Sequence, residues 1–421
     1  MKIKPILLNT NDFSGGAARA VQRLHAGLQK VGIDSTLLVQ KKSSAVSNTY
    51  GPRPGIERFI SILRPYIDIL PLAFYPSSLK YVWDIGWLPS LQFKRIKSFR
   101  PNIVNLHWIT RGFIAINDLT RFKLPIVWTL HDSWPFTGGC HVPGECTNYR
   151  ESCGHCFQLN SKKGSDLSRL IWEHKNRAWN NLKISVVTPS RWLANCAKES
   201  SLFRNRQIEV IANSLDLEVF YPEDRLLSRS KLKLPADKTI LLFGAVKSLT
   251  DKNKGFDIFI KVINRLVHSE LKDSFEVAIF GSKPNRTINE IKVPVHDFGL
   301  ISSDETLRIL YSAADVMCIP SRQESFGQTA TESMACGTPV ACFGGTGLLD
   351  IVDHQQSGYL ADPYSDDSFC TGIKWLLRAE RKKIAFNAIE KVRKEFEVKV
   401  IANKYRGLYE KILLSSKIRP E

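Results

Sequence analysis

Residues 4–39 read KPILLNTNDFSGGAARAVQRLHAGLQKVGIDSTLLV. Lys4 to Asn9 is a short apolar run of the kind a buried parallel strand shows. Ser14-Gly15-Gly16 breaks it. From Ala17 to Val31 the apolar residues Ala20, Val21, Leu24, Leu28 and Val31 recur at helical spacing. Gly32 stops that helix, and Ser35 to Val39 makes a second strand. Strand, glycine turn, helix and strand in this order open a Rossmann-type α/β half.

The same alternation continues along the chain. Strands are expected at Ile103–Leu106, Ile126–Leu130, Ile184–Thr188 and Ile208–Ile211, with a helix from about Arg191. Residues 43–100 mix Pro, aromatic and basic residues without a clean period. After Asn213 the chain turns polar and loop-like through Ala236. A second series then begins. Its expected strands are Thr239–Phe243 ending in Gly244, Glu276–Phe280 ending in Gly281, Val316–Ile319 and Pro339–Ala341. Its expected helices are Phe256–Leu266 and Leu307–Ala314. Alternating strands and helices imply a parallel sheet covered on both faces. The expected organisation is therefore a first Rossmann-like domain over 1–215, a linker over 216–236 and a second over 237–396. A basic amphipathic helix and tail follow over 397–421.

A length of 421 residues suits two domains at roughly 100–200 residues each. With 43% hydrophobic and 24% charged residues, composition excludes a disordered, collagenous or disulfide-scaffold chain. The apolar run after Met1 is too short for a signal peptide. No window offers about 18 uncharged apolar residues, so no membrane span and a cytoplasmic location are expected. Lys plus Arg is 59 against 41 Asp plus Glu, a net +18 that favours anionic partners. Charge alone does not choose among phosphates, nucleic acid and an acidic membrane.

The block PSRQESFGQTATESMACGTPV, residues 320–340, carries the most chemistry. It follows the strand 316–319, and ligands of open α/β sheets bind at the carboxyl ends of strands. Gly327 permits a tight turn. A helix then starts near Gln328, with amides that lack intrahelical partners and a positive dipole end. A diphosphate placed there is held by backbone N–H groups. Glu332, one turn into the helix, can accept from a ribose diol. Glu324, in the preceding loop, can meet the hydroxyls of a sugar joined to the diphosphate.

The spacing Glu324-x7-Glu332 resembles the signature of the group 1 (family 4) retaining glycosyltransferases of GT-B fold. Phe13 to Arg19 is similar to that family's first glycine turn, and Thr129-Leu130-His131-Asp132 to its strand-end histidine motif. Val210 to Asp216 with Phe220-Tyr221-Pro222 resembles the stretch before its linker. These motifs run in order along nearly the whole chain, most like the bacterial capsular, exopolysaccharide or colanic-acid-type enzymes. The resemblance implies two Rossmann-like domains facing across a cleft, with the last helix packing back on the first, acceptor-binding domain. It implies a nucleotide-sugar donor, a glycan or lipid-linked acceptor and transfer with retention, in cell-surface polysaccharide assembly. It further implies that Glu332 binds the ribose, that Glu324 lies by the transferred sugar with the Gly327, Gln328 and Thr329 backbone around it, that His131 lies near that sugar, and that Gly15 and Gly16 approach the diphosphate. No catalytic cofactor is implied. The sequence departs from the family in one place. Ala245 stands after Gly244, where the family has an Arg, while Lys254 supplies the expected Lys. Lys247 and Lys252 are nearby cations, but a lysine lacks the bidentate fork of arginine.

Two further features need an account. Cys140, Cys146, Cys153 and Cys156 follow the spacing C-x5-C-x6-C-x2-C. The last pair fits a zinc knuckle, so a structural zinc is expected, with His141 and His155 as alternative ligands. Four thiolates leave no open coordination position for catalysis. Over 55–100, Arg58, Arg64, Lys80, Lys94, Arg95, Lys97 and Arg100 interleave with Phe59, Ile62, Leu63, Phe74, Tyr81, Trp83 and Trp87. That pattern suits a surface resting on anionic lipid at the inner face of the plasma membrane, or an amphipathic helix in the core. A GT-B-type epimerase or phosphorylase, a non-catalytic sugar-nucleotide-binding protein and a zinc-containing nucleic-acid-binding protein remain alternatives. No nucleic-acid module is visible, so nucleic acid is not an expected partner.

Overall fold

The computed structural model describes residues 2–75, 81–283 and 286–417; Lys80 lies outside them. Two compact units divide the chain. The first comprises Met1–Ser214 with Ile401–Glu421, the second Leu215–Val400.

The first unit is a seven-stranded parallel sheet. In chain order it contains β1 (Pro5–Asn11), α1 (Gly16–Lys30), β2 (Thr36–Lys41), β3 (Thr49–Tyr50), α2 (Ile56–Asp68), α3 (Phe93–Ser98), β4 (Ile103–Leu106) and β5 (Ile126–Thr129). Then follow α4 (Leu167–Trp179), β6 (Ile184–Thr188), α5 (Arg191–Glu199) and β7 (Ile208–Val210). The spatial order β3-β2-β1-β4-β5-β6-β7 reverses direction between β1 and β4. The strands β1, β4 and β5 are buried almost end to end, as the apolar runs require of a sheet covered on both faces. α1 buries Val21, Leu24 and Leu28, the residues whose spacing identified it.

The second unit opens with α6 (Arg225–Leu232) and β8 (Thr239–Gly244), then α7 (Phe256–Leu266), β9 (Phe275–Phe280), β10 (Val295–Asp297), α8 (Asp304–Ala313) and β11 (Val316–Ile319). It continues with α9 (Gln328–Ala335), β12 (Val340–Phe343), β13 (Gly358–Ala361), α10 (Asp366–Arg378) and α11 (Arg381–Glu395). Its six parallel strands run β10-β9-β8-β11-β12-β13, with the reversal between β8 and β11.

The last helix, α12 (Val398–Lys417), packs against the sheet of the first unit. Ile401, Tyr405 and Tyr409 are buried with Leu7, Val21 and Val127. The tyrosine hydroxyls, far from water, find partners in Thr129 at 3.0 Å and Asn105 at 2.7 Å. Among the described residues no helix is long and apolar enough to cross a membrane.

The stretch expected to be a loop before residue 236 contains α6. Its polar composition hid it, because its inward face is fixed by charge and not by apolar contact. Arg229, 3% exposed, donates to Asp315 at 2.6 Å and to the Ala313 carbonyl at 3.0 Å.

Candidate active site in the second unit and a histidine network in the first

In the second unit the reversal of strand order opens a crevice at the carboxyl ends of β8 and β11, where open α/β sheets take their ligands. Two loops meet there, one after Gly244 and one after Ile319. They are stitched together: Arg322 N donates to the Asn253 carbonyl at 2.8 Å and Asn253 Nδ2 to the Gln323 carbonyl at 2.6 Å. Gly255, at φ 72°, lies so close beneath the second loop that a Cβ would stand 2.0 Å from the Pro320 carbonyl oxygen. The backbone of Glu324 is gripped from both sides, its amide donating to Thr346 Oγ1 at 3.2 Å and its carbonyl accepting from Gly347 at 2.9 Å.

This stitching brings Lys254 Nζ to 2.7 Å from Glu324 Oε1, both side chains mostly shielded from solvent. Burial pulls the Lys254 pKa down, but the touching Glu324 carboxylate outweighs it and holds the ammonium above its ordinary value. α9 begins immediately beyond. Gly327, at φ 121°, is its N-cap and has no side chain to occupy the first amides. Gln328 and Thr329 form that first turn, half-buried. Glu332 lies deeper than its sequence position suggests. It is 3% exposed and accepts from the Tyr311 hydroxyl at 2.9 Å. Tyr311 and the Thr346–Gly347 pair had no recognisable signal in the sequence, because they reach the crevice from α8 and from the loop after β12.

Lys247 and Lys252 are exposed. Arg322 is committed to Asp257 through two contacts, of 3.0 and 2.6 Å. A broad hollow of about 760 Å³ elsewhere in this unit lies between α10 and α11 and includes none of the candidate residues.

In the first unit the switch between β1 and β4 is flanked by Gly15 and His107. Gly15 takes φ 98° as N-cap of α1, with open space where a Cβ would be, so only the backbone angle asks for glycine there; Gly16 opens the helix. His131 follows β5 on the neighbouring strand. Its Nε2 stands 2.9 Å from His107 Nδ1, and the two rings stack at 5.2 Å between centroids. Burial pushes the His131 pKa down to about 4 against the pull of Asp132, and His107, also depressed by burial, is lower than ordinary as well. The pair is therefore neutral at physiological pH.

Behind it lies a charged layer. His141 places Nδ1 at 2.7 Å from Asp132 and Nε2 at 2.8 Å from Asp84, at 3% exposure. Burial opposes the charge on His141, yet the two carboxylates lift its pKa to about 9. Trp108 Nε1 donates to Asp132 at 2.7 Å, and Arg111 pairs with Asp84 at 2.7 Å. Both ring nitrogens of His141 are thus engaged, which removes it as an alternative metal ligand. His155 is exposed and bonds the Lys162 carbonyl through Nδ1 at 2.8 Å.

Cys140, Cys146, Cys153 and Cys156 all line one small cavity of about 20 Å³. Gly138 N donates to Cys153 Sγ at 3.1 Å. Burial raises the thiol pKa of Cys140, Cys153 and Cys156. Among the described residues no three His, Cys, Asp or Glu side chains converge closely enough to hold an ion. Beside the cavity, Lys175 is fully buried, its ammonium 3.7 Å from the centre of the Trp134 ring and 3.0 Å from the Thr137 carbonyl.

Two parallel-sheet Rossmann-like units define an α/β protein of the GT-B class, and solved structures agree. Sucrose-phosphate synthase from Thermosynechococcus elongatus superposes with a TM-score of 0.71 at 19% identity, covering 98% of this chain and 100% of that one. Anabaena HepE in complex with UDP and glucose gives 0.63 at 16%, covering 97% and 100%. Residues 14–219 match the family Glycosyltransferase Family 4 and residues 224–395 match Glycosyl transferases group 1. The chain thus carries these two glycosyltransferase domains in tandem. A D-inositol 3-phosphate glycosyltransferase of Nocardioides sp. is 30% identical over 209 residues, 44% of this chain and 45% of that protein. The matched region spans about half the length of the curated relatives. Those relatives carry inositol-phosphate names and not capsular or colanic-acid ones.

Proposed function

We propose that this chain transfers a sugar from a nucleoside-diphosphate donor to a hydroxyl of a glycan or lipid-linked acceptor, with retention of configuration, in cell-surface polysaccharide assembly. The observation that carries the reading is the Lys254–Glu324 pair set against the first turn of α9 at the switch point of the second unit. The group 1 and family 4 domains support it, as does the UDP and glucose complex of the Anabaena neighbour. The setting in polysaccharide assembly rests on the sequence resemblance alone.

In this reading the diphosphate lies on the α9 amides and on Lys254, which together take up the charge that grows on the leaving phosphate. Glu324, in contact with Lys254, accepts from the donor sugar's hydroxyls, and Glu332, oriented by Tyr311, accepts from the ribose. In the first unit, His131 is proposed as a neutral hydrogen-bonding group and not a charge. Positioning and electrostatics supply the catalysis, and no enzymic nucleophile is named. The cysteine loop takes one structural zinc in the same proposal, supported by the C-x2-C spacing and by the shared cavity. Cys140, Cys146, Cys153 and Cys156 would hold it as thiolates, and it would crosslink the loop without taking part in the transfer.

The test is a thermal-shift panel with UDP, GDP, ADP and their sugar conjugates. Stabilisation by one nucleotide series, lost in Glu332→Ala, supports the site and names the donor class. A folded protein that responds to none of them refutes the reading.

A further inference from the structure

α2 is amphipathic the wrong way round. A helix on the surface of a globular protein turns its apolar stripe to the core. Here Asp68 is the only fully buried residue of the helix. The side facing the protein is mostly polar, with the half-buried Ile60 its apolar member. Arg64 reaches the carbonyls of Gly112 and Leu88, the latter at 3.1 Å. Glu57 accepts from Gln92 at 3.1 Å, and Asp68 accepts from the Gly86 and Trp87 amides at 3.4 and 3.3 Å. At about 100° per residue these three share one side of the helix.

The opposite side carries Ile56, Phe59, Ile62 and Tyr66, exposed by 79, 63, 55 and 69%. The short 3-10 turn that follows adds Leu70 at 64% and Phe74 at 85%. A continuous apolar face turned to water calls for a partner. Cations lie close in sequence: Arg53 before the helix and Arg58 within it are both exposed, in a chain of net +18. Large apolar side chains bordered by arginine match the boundary of an anionic bilayer, where the rings enter the acyl region and the guanidinium groups meet the phosphates.

We infer that the outer face of α2 docks this protein on an anionic lipid surface, lying in the interface without crossing it. The polar inner contacts explain the inversion: they fasten the helix to the body while leaving its apolar side for the lipid. The inference is independent of which sugar is transferred.

The experiment is co-sedimentation of the full chain with vesicles of phosphatidylcholine plus phosphatidylglycerol, and with phosphatidylcholine alone. The comparison protein is the triple variant Phe59→Ser, Ile62→Ser, Tyr66→Ser. These side chains are exposed, so the variant should melt with the parent, and circular dichroism checks that. The expected result is at least about tenfold stronger retention on the anionic vesicles, weakened by added salt, and about tenfold lost in the variant. Equal retention of parent and variant overturns the inference, as does failure of the parent to bind anionic vesicles. A parent that is dimeric by light scattering, and becomes monomeric in the variant, assigns the face to a second copy and overturns it too.

Discussion

The buried His141 lends itself to a quantitative test through the substitution His141→Gln. Glutamine keeps the hydrogen-bonding reach but cannot carry the charge that satisfies Asp132 and Asp84. Folding lifts the imidazole from 6.5 to about 9. At about 1.36 kcal/mol per pKa unit, that rise corresponds to roughly 3 kcal/mol of stability supplied by the charged form. At 3% exposure the group is not screened by solvent. The same attraction lowers the Asp132 pKa, so it is counted once. Because folding raises the pKa, the contribution is complete below about pH 6.5 and drains away as pH climbs through about 9. Denaturant unfolding followed by tryptophan fluorescence is the suitable assay, since eight of the nine tryptophans lie in the first unit. The stability difference between parent and variant should be largest near pH 6 and shrink by roughly 3 kcal/mol by about pH 10. The unfolded-state titration of His107, His131 and Lys175 is common to both proteins and cancels in that difference. A difference that does not change with pH would mean that His141 is neutral in the folded chain, and the charged layer behind His131 would have to be abandoned.

Other expectations follow from the second unit and from the cysteine loop. Gly255→Ala places a methyl group 2.0 Å from the Pro320 carbonyl oxygen at a positive φ, so roughly 2–3 kcal/mol of destabilisation is expected. A melting temperature within about a degree of the parent would contradict the close approach of the two loops. Lys254→Met removes the diphosphate's cation and leaves Glu324 as a shielded, unpaired carboxylate; nucleotide affinity should fall by about 2–3 kcal/mol, or roughly 30–150-fold. Lys254→Arg should recover part of that loss by calorimetry, and no effect of either variant would remove Lys254 from the site. Metal analysis of the purified chain should find close to one zinc, reduced in Cys153→Ser. Well under one zinc per chain would leave the four cysteines as free thiols.

The sequence was most informative where burial and periodicity coincide. The runs Ile103–Leu106 and Val316–Ile319 are apolar because both faces of a parallel strand are covered, and they lie where they were expected. Gly15, Gly255 and Gly327 mark turns that demand positive φ or a close approach, and punctuation of that kind is readable. Elements whose inner face is polar were not. α2 shows no core stripe because its apolar side faces outward, and α6 is held by Arg229 and Asp315. The loop-like reading of the stretch from Asn213 to Ala236 missed α6 for that reason. The short strands β10 and β13 and the helices α4, α10 and α11 also escaped notice.

The candidate site divides along the same line. Glu324, Gly327 and Glu332 lie in one contiguous block, so their proximity could be inferred. Lys254 and Glu324 are 70 residues apart, and nothing in their spacing implies the 2.7 Å ion pair. The clamp on His141 joins residues 9 and 57 positions away, a long-range arrangement that one sequence without a fold does not encode visibly. The burial of Glu332 beneath Tyr311 depends on α8, which the motif itself does not contain.

The return of α12 to the first unit affects how the protein is made. A ribosome delivers residues 1–214 early, yet Leu7, Val21 and Val127 await Ile401, Tyr405 and Tyr409. The second unit, contiguous in sequence from Leu215 to Val400, has all its own residues before those partners emerge. The half begun first is therefore the half completed last, and during that interval its sheet exposes a sticky flank. A truncated transcript that stops before residue 401 would yield a finished second half attached to an unfinished first one, the kind of species that chaperones and proteases intercept.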